Sequence, residues 1–241
     1  MMKNVSRLLA LTSVAAMALP AVAVADNYLR LSYSMADYDE QDLEFTLAPD
    51  PAALFTIDGY DPDKSDYYGL AVGTWLTDHL RAELALDLSQ ASKEKDSVTF
   101  GNFGGVIPAD FDAKTSSHLL MVNAFYHFVA NRSKGSFDPY VGLGLGAADN
   151  EIKGMTISVG PDFATLDDGE NTEFAFRAGA GIGFWITDEA SVDLSVFYVD
   201  AGMVEGGDFA IDGGNQFIPI AETVEVELQS INYSLGVNFS F

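Results

Sequence analysis

Hydrophobic and polar residues alternate along most of this chain. Residues 80–88 carry Leu80, Ala82, Leu84, Leu86 and Leu88 on one face and Arg81, Glu83, Ala85 and Asp87 on the other. A period of two over nine residues is the signature of a β-strand with two unlike faces. The same beat runs through Leu29/Leu31/Tyr33/Met35, Tyr68/Leu70/Val72/Leu76, Leu120/Val122/Ala124/Tyr126/Phe128 and Val141/Leu143/Leu145. It returns at Phe174/Phe176/Ala178/Ala180/Ile182/Phe184, Val192/Leu194/Val196/Tyr198 and Tyr233/Leu235/Val237/Phe239/Phe241. The pattern predicts eight strands.

The connections alternate in length. Short turns are expected at 77–79, 130–138 and 187–189, and long loops at 39–63, 91–114, 149–171 and 203–225. Long structureless connections count against a compact soluble domain, whereas a membrane barrel has short turns at one end and longer loops at the other. Strands of nine or ten residues cross an apolar band of about 25 Å when tilted. Several apolar faces also end in aromatics, among them Tyr126, Phe184, Tyr198 and Phe239. The expected fold is therefore all-β: an eight-stranded antiparallel up-and-down transmembrane β-barrel with its oily face toward lipid. A soluble lipocalin-like barrel, which would bury that face, is the competing fold.

Charge and composition narrow the function. The 241 residues include 36 Asp and Glu against 12 Lys and Arg, a net charge of −24, and no cysteine. Nucleic acid is excluded as a partner, since phosphate binding needs clustered cations. Thiol chemistry is excluded outright. Lys3 and Arg7 precede an apolar run from Leu8 that closes on Ala23-Val24-Ala25, so residues 1–25 read as a secretory signal peptide and 26–241 as the barrel domain.

A repeated pattern, Gly-x-Trp-(Leu/Ile)-Thr-Asp, occurs at 73–78 and 183–188. It is read as a shared turn recipe, Thr-Asp in the turn with an aromatic near the membrane interface.

Three segments carry a family resemblance: Val122-Asn123-Ala124-Phe125-Tyr126-His127-Phe128, the run Asp138 to Gly146 with its alternating glycines, and the ending Tyr233 to Phe241. With the strand pattern, they resemble the OmpA-like and opacity-type outer-membrane barrels across residues 26–241. The resemblance implies that the last strand, with Tyr233, Phe239 and Phe241, is the signal read by the barrel-assembly machinery. It further implies roles in envelope integrity and adhesion. The peptidoglycan-binding domain that often follows an OmpA-type barrel is not expected, because the alternation stops at Phe241.

The less oily face holds the candidate chemistry. An eight-stranded barrel is about filled by its own side chains, so inward charges need partners. Arg30, Arg81 and Arg177 with Glu83, Asp87, Glu173 and Asp193 are the expected interior network, and the same charges would line any narrow ion path. Of the three histidines, His79 falls in a turn, His127 points inward, and His118 alone lies where an outer-rim catalytic base would; it reads as a solvated rim residue. Asp61 to Asp66 mimics a calcium loop but has Asp66 where Gly is required and Val72 where Glu is required. No cofactor or bound metal is expected, and no enzyme.

The expected function is an outer-membrane barrel with acidic extracellular loops acting in envelope structure and surface adhesion. Its expected partners are membrane lipid and lipopolysaccharide, the assembly machinery, and a host or cell-surface ligand. A narrow channel for small apolar molecules, as in OmpW-like barrels, is the second reading. A lipid A-modifying enzyme using His118 is the third.

Overall fold

The computed structural model describes residues 27–39, 41–46, 54–60, 64–90, 92–101, 107–159, 162–166, 168–206, 209–212, 217–220 and 225–241. The signal segment expected at 1–25, and Asp61 to Asp63 of the rejected calcium loop, lie outside the described residues. Among the described residues there are fourteen strands and no helix. They are β1 (Asn27–Tyr38), β2 (Gln41–Thr46), β3 (Leu54–Tyr60), β4 (Ser65–Trp75), β5 (Leu80–Ser89), β6 (Ser92–Gly101) and β7 (Ile107–His127), followed by β8 (Phe137–Val159), β9 (Asp162–Leu166), β10 (Gly169–Trp185), β11 (Ala190–Glu205), β12 (Phe209–Asp212), β13 (Phe217–Ile220) and β14 (Glu225–Ser240).

Eight of these strands close on themselves. β1 pairs antiparallel with β4 on one side and with β14 on the other, and the wall runs β1-β4-β5-β7-β8-β10-β11-β14. These are the eight alternating segments of the sequence. Closure removes the free edges that a sheet would otherwise expose, which is what allows backbone amides to cross hydrocarbon.

The alternation sorts each strand as expected. On β7, Met121, Asn123, Phe125 and His127 are buried inside, while Val122 and Tyr126 face outward. Leu143 and Leu145 on β8, Leu31 and Tyr33 on β1, and Leu194 and Val196 on β11 are likewise exposed. An exposed belt of this breadth would be unstable in water and is the outer wall of a membrane barrel.

One end of the barrel is tight. Leu76–His79 and Ile186–Glu189 form two like turns in which Thr77 Oγ1 and Thr187 Oγ1 each accept two backbone amides, at 2.9 and 3.2 Å in both cases. The chain ends at this side too, where the Phe241 amide donates to the Asn27 carbonyl. At the other end the described residues are mostly strand, which corrects the expectation of long loops at 39–63, 91–114, 149–171 and 203–225. β7 runs for 21 residues and β8 for 23, where nine to eleven suffice for a crossing. Above the wall, β6 pairs with β7 from Ser92↔Thr115 to Phe100↔Ile107, and β2, β3, β9, β12 and β13 add to form β2-β3-β6-β7-β8-β9-β12-β13. The sequence hides these strands for a physical reason. Outside the bilayer no face must be oily, so Ser92-Lys93-Glu94-Lys95-Asp96 has no apolar beat to detect.

Candidate functional site

The inward residues of the tight, periplasmic half form one continuous polar layer. Arg30 on β1 donates to Asp193 Oδ1 on β11 at 2.7 Å and lies 3.8 Å from Glu83 Oε1 on β5. Arg177 on β10 donates through Nη1 to Asp87 Oδ2 at 2.9 Å and through Nε to Asn123 Oδ1 at 2.8 Å, with its Nη2 3.9 Å from Glu83. Glu83 also accepts from Tyr28 Oη at 2.9 Å and Asn123 Nδ2 at 3.2 Å. Missing side chains make the space. A Cβ on Gly236 would stand 2.8 Å from Arg30 Nε, and one on Gly144 would stand 2.2 Å from Asn123 Oδ1.

Two of the residues expected in this network behave otherwise. Arg81 is buried but has no carboxylate within ion-pair distance among the described residues. Its guanidinium instead sits 4.2 Å from the Phe125 ring, 5.1 Å from Tyr28, 5.2 Å from Tyr140 and 5.8 Å from Trp75. Glu173 stands four residues above Arg177 on β10, about 13 Å along the strand. There the lumen is apolar, and its carboxylate accepts from Asn171 Nδ2 at 3.0 Å.

Below Arg81 the mouth is closed by aromatics. Trp75 and Trp185, the tryptophans of the repeated motif, are 7% and 5% exposed and point inward, packing with Tyr28. This corrects their reading as interface aromatics: each lies on the same strand face as the inward glycines Gly73 and Gly183, and register outranks side-chain type. His127 lies against Trp75, ring centroids 4.5 Å apart and tilted by 53°, and pairs with Asp138 through Nδ1 at 2.8 Å. From the β7–β8 turn, Arg132 covers the Trp75 ring at 4.2 Å, and the Lys134 amide donates to Asp188 Oδ1. The parity of Trp75 and Trp185 was visible in the sequence; the reach of Arg132 was not.

The outer half of the lumen is filled differently, by Leu119, Met121, Ala148, Ile152, Val199, Val204, Val226 and Leu228. Among its polar inserts, Asn150 is fully buried and satisfied by Ser117 and by the Ala201 carbonyl. Between the two halves lies a cavity of about 30 Å³ lined by Arg30, Ser32, Asp87, Ser195 and Asn232, among others, room for about two water molecules. His118, the candidate base, faces outward and half-buried. Its Nδ1 accepts the Ser89 backbone amide at 3.2 Å, so it is neither a solvated rim residue nor paired with a hydroxyl nucleophile there. Tyr233 and Phe239 lie on the lipid-facing side of β14, in register with Met35 and Leu29, and Phe241 is 81% exposed at its end.

A closed antiparallel wall with an apolar belt, a self-filled lumen and short turns at one end defines an integral outer-membrane barrel. Residues 6–241 match the outer membrane protein beta-barrel domain, and the chain belongs to that family. It is 26% identical over 182 residues to the outer membrane protein PagN of Salmonella typhimurium, covering 72% of each chain. It is 24% identical over 176 residues to a Rickettsia bellii protein named "Putative adhesin", covering 70% of this chain and 72% of that one. The crystal structure of OprG from Pseudomonas aeruginosa shares the fold at a TM-score of 0.51 and 16% identity, covering 90% of this chain and 96% of that one. The lipid-facing barrel thus holds, and the lipocalin-like alternative falls.

Proposed function

We propose that this protein presents a rigid extracellular binding surface, acting in adhesion. The observation that carries this is the length of β7 and β8. At about 3.3 Å per residue they measure about 70–76 Å, more than twice a crossing strand. The surplus is ordered sheet, and binding surfaces are commonly held on rigid scaffolds of this kind. The name of the Rickettsia relative supports the same reading. The acidity of the chain suits a cationic or divalent-bridged cell-surface ligand, lipopolysaccharide included. Tyr233, Phe239 and Phe241 act as the assembly signal in this reading.

Transport is the weaker reading, because the apolar filling from Leu119 to Leu228 stands above the small polar cavity. No catalytic role is proposed: His118 is committed to a backbone amide. The test replaces residues 41–60, which contain β2 and β3, by a two-residue turn in bacteria expressing the protein. Attachment to host cells should fall while the heat-dependent shift in electrophoretic mobility, the mark of a closed barrel, persists. Unchanged attachment together with single-channel conductance would overturn the proposal in favour of transport.

A further inference from the structure

Basic residues are scarce outside the lumen. Arg30, Arg81 and Arg177 lie within the barrel, and Arg132 and Lys134 lie at its periplasmic end. Among the described residues the extracellular side therefore carries Lys64, Lys93, Lys95, Lys114 and Lys153. Four of these five fall together. Strand pairing sets Lys93 on β6 opposite Lys114 on β7, and Lys114 opposite Lys153 on β8. Three lysines thus occupy one row across three neighbouring strands, with Lys95 two positions further along β6. Like charges directly opposite each other cost stability in a sheet, and this chain has 36 acidic residues against 12 basic ones with which to avoid such a row. Lys153 pairs with Glu151, and Lys95 has Asp112 in register. Lys114 is exposed and has a lysine in register on both sides.

We propose that the row centred on Lys114 binds a phosphate carried on the sugar chain of an outer-leaflet glycolipid, the chemistry of lipopolysaccharide. Direction and height select this ligand. Ala113, Thr115 and Ile152, the alternate positions beside the row, are buried, so Lys114 and Lys153 lie on the face that meets lipid lower down. Descending β7 on that face, Ser116 and His118 come before the apolar belt, which begins at Leu120. Six residues separate Lys114 from Leu120. That is about 20 Å along a strand, or about 15 Å above the hydrocarbon at a tilt of about 40°. A phospholipid headgroup layer adds only about 5–7 Å to each side of the hydrocarbon, so its phosphate lies too low. A phosphorylated sugar chain passes beside the wall at the height of the row. Phosphate oxygens accept from several ammonium groups at once, which turns the repulsion within the row into a shared attraction.

The test uses the intact barrel in phosphatidylcholine vesicles, with urea midpoints read without and with lipopolysaccharide bearing a phosphorylated core. A ligand that binds only the folded barrel raises the midpoint by mass action. Wild-type barrel should gain stability from this lipid, and much less from lipopolysaccharide stripped of its core phosphates. Without lipopolysaccharide, Lys114→Gln should be no less stable than wild type, because it relieves repulsion. It should bind the phosphorylated lipid about tenfold more weakly, as the loss of one charge-assisted hydrogen bond implies. Lys114→Arg should bind as wild type does, and Lys64→Gln, outside the row, should leave the affinity unchanged. A loss of stability in Lys114→Gln without lipopolysaccharide would assign the row to internal ion pairing and overturn the proposal. Equal weakening by Lys64→Gln, or equal binding of the phosphate-stripped lipid, would overturn it too. So would tighter binding of soluble dextran sulfate than of the phosphorylated lipid, which would move the row to a sulfated host glycan. The proposal does not rest on adhesion, and none of these readouts involves attachment to host cells.

Discussion

The two halves of the lumen are packed by opposite physics within one continuous wall. Toward the periplasm, three arginines, several carboxylates and a ring of aromatics share the space, and position depends on directed contacts such as Arg30 to Asp193 at 2.7 Å. Toward the outside, Leu119, Ile152, Val226 and Leu228 fill most of the same tube by shape, with Asn150 and Ser117 hydrogen-bonded to each other among them. A polar core fixes geometry but leaves bare charges if one partner goes. An apolar core tolerates exchange of like for like. The difference fits the proposed adhesive role, because the apolar half sits at the foot of the outer sheet, where a stiff base is needed and polar inserts such as Asn150 are satisfied within the lumen.

Removing one partner of a buried pair should give the largest effect. Arg30→Met leaves Asp193, which is 1% exposed, without its cation and should destabilise the barrel by about 3–5 kcal/mol. Arg30→Lys should recover only part of this, because a point charge cannot serve Asp193 and Glu83 together as a fork does. In the outer half, Leu228→Ala should cost about 3 kcal/mol by leaving a cavity, whereas Leu228→Met should cost under about 1.5 kcal/mol. Urea midpoints of the barrel refolded into thin-bilayer vesicles read all four. If Arg30→Lys were as mild as Leu228→Met, the contrast between the halves would be wrong.

Arg81 sharpens the contrast within the polar half. Its cation–π contacts are worth about 2 kcal/mol when desolvated. Against this stand its Nε and Nη2, buried without partners among the described residues, and an unmade buried hydrogen bond costs about 1–3 kcal/mol. Arg81→Met should therefore shift stability by no more than about 1 kcal/mol, far less than Arg30→Met. A loss equal to that of Arg30→Met would mean that Arg81 balances Glu83 and Asp193 at longer range.

What could be read from the sequence follows the same divide between wall and surroundings. Wherever hydrocarbon bathes one face, as at Val122/Ala124/Tyr126, the period of two is forced and all eight wall strands were visible. Beyond the bilayer that demand ends, so β6 and the outer reaches of β7 and β8 looked like loop. Inside, the sequence placed Arg30, Glu83, Asp87, Arg177 and Asp193 on the inward face. It could not show that Arg81 would be met by rings or that Glu173 would stand too high, since both outcomes depend on stagger between strands far apart in the chain. The two tryptophans were misread only because aromatic type was weighed above parity.

The smallest expected effects lie in the repeated turns, and they ask whether sequence repetition means energetic equivalence. Thr77 Oγ1 accepts from the amides of His79 and Leu80, and Thr187 Oγ1 from those of Glu189 and Ala190, with matching distances. Thr→Val keeps the shape and removes the acceptor. In exposed turns the amides can turn to water instead, so each change should cost only about 0.5 kcal/mol. The turns share no hydrogen-bond partner in these contacts, so the double variant should lose the sum, about 1 kcal/mol, within the usual tolerance for independent sites. Their surroundings differ in one respect: Asp188 accepts the Lys134 amide at 2.9 Å, while Asp78 meets Arg132 only at 3.8 Å. If Thr187→Val proves clearly costlier than Thr77→Val, the bridge from the β7–β8 turn makes the two hairpins unequal despite their shared sequence.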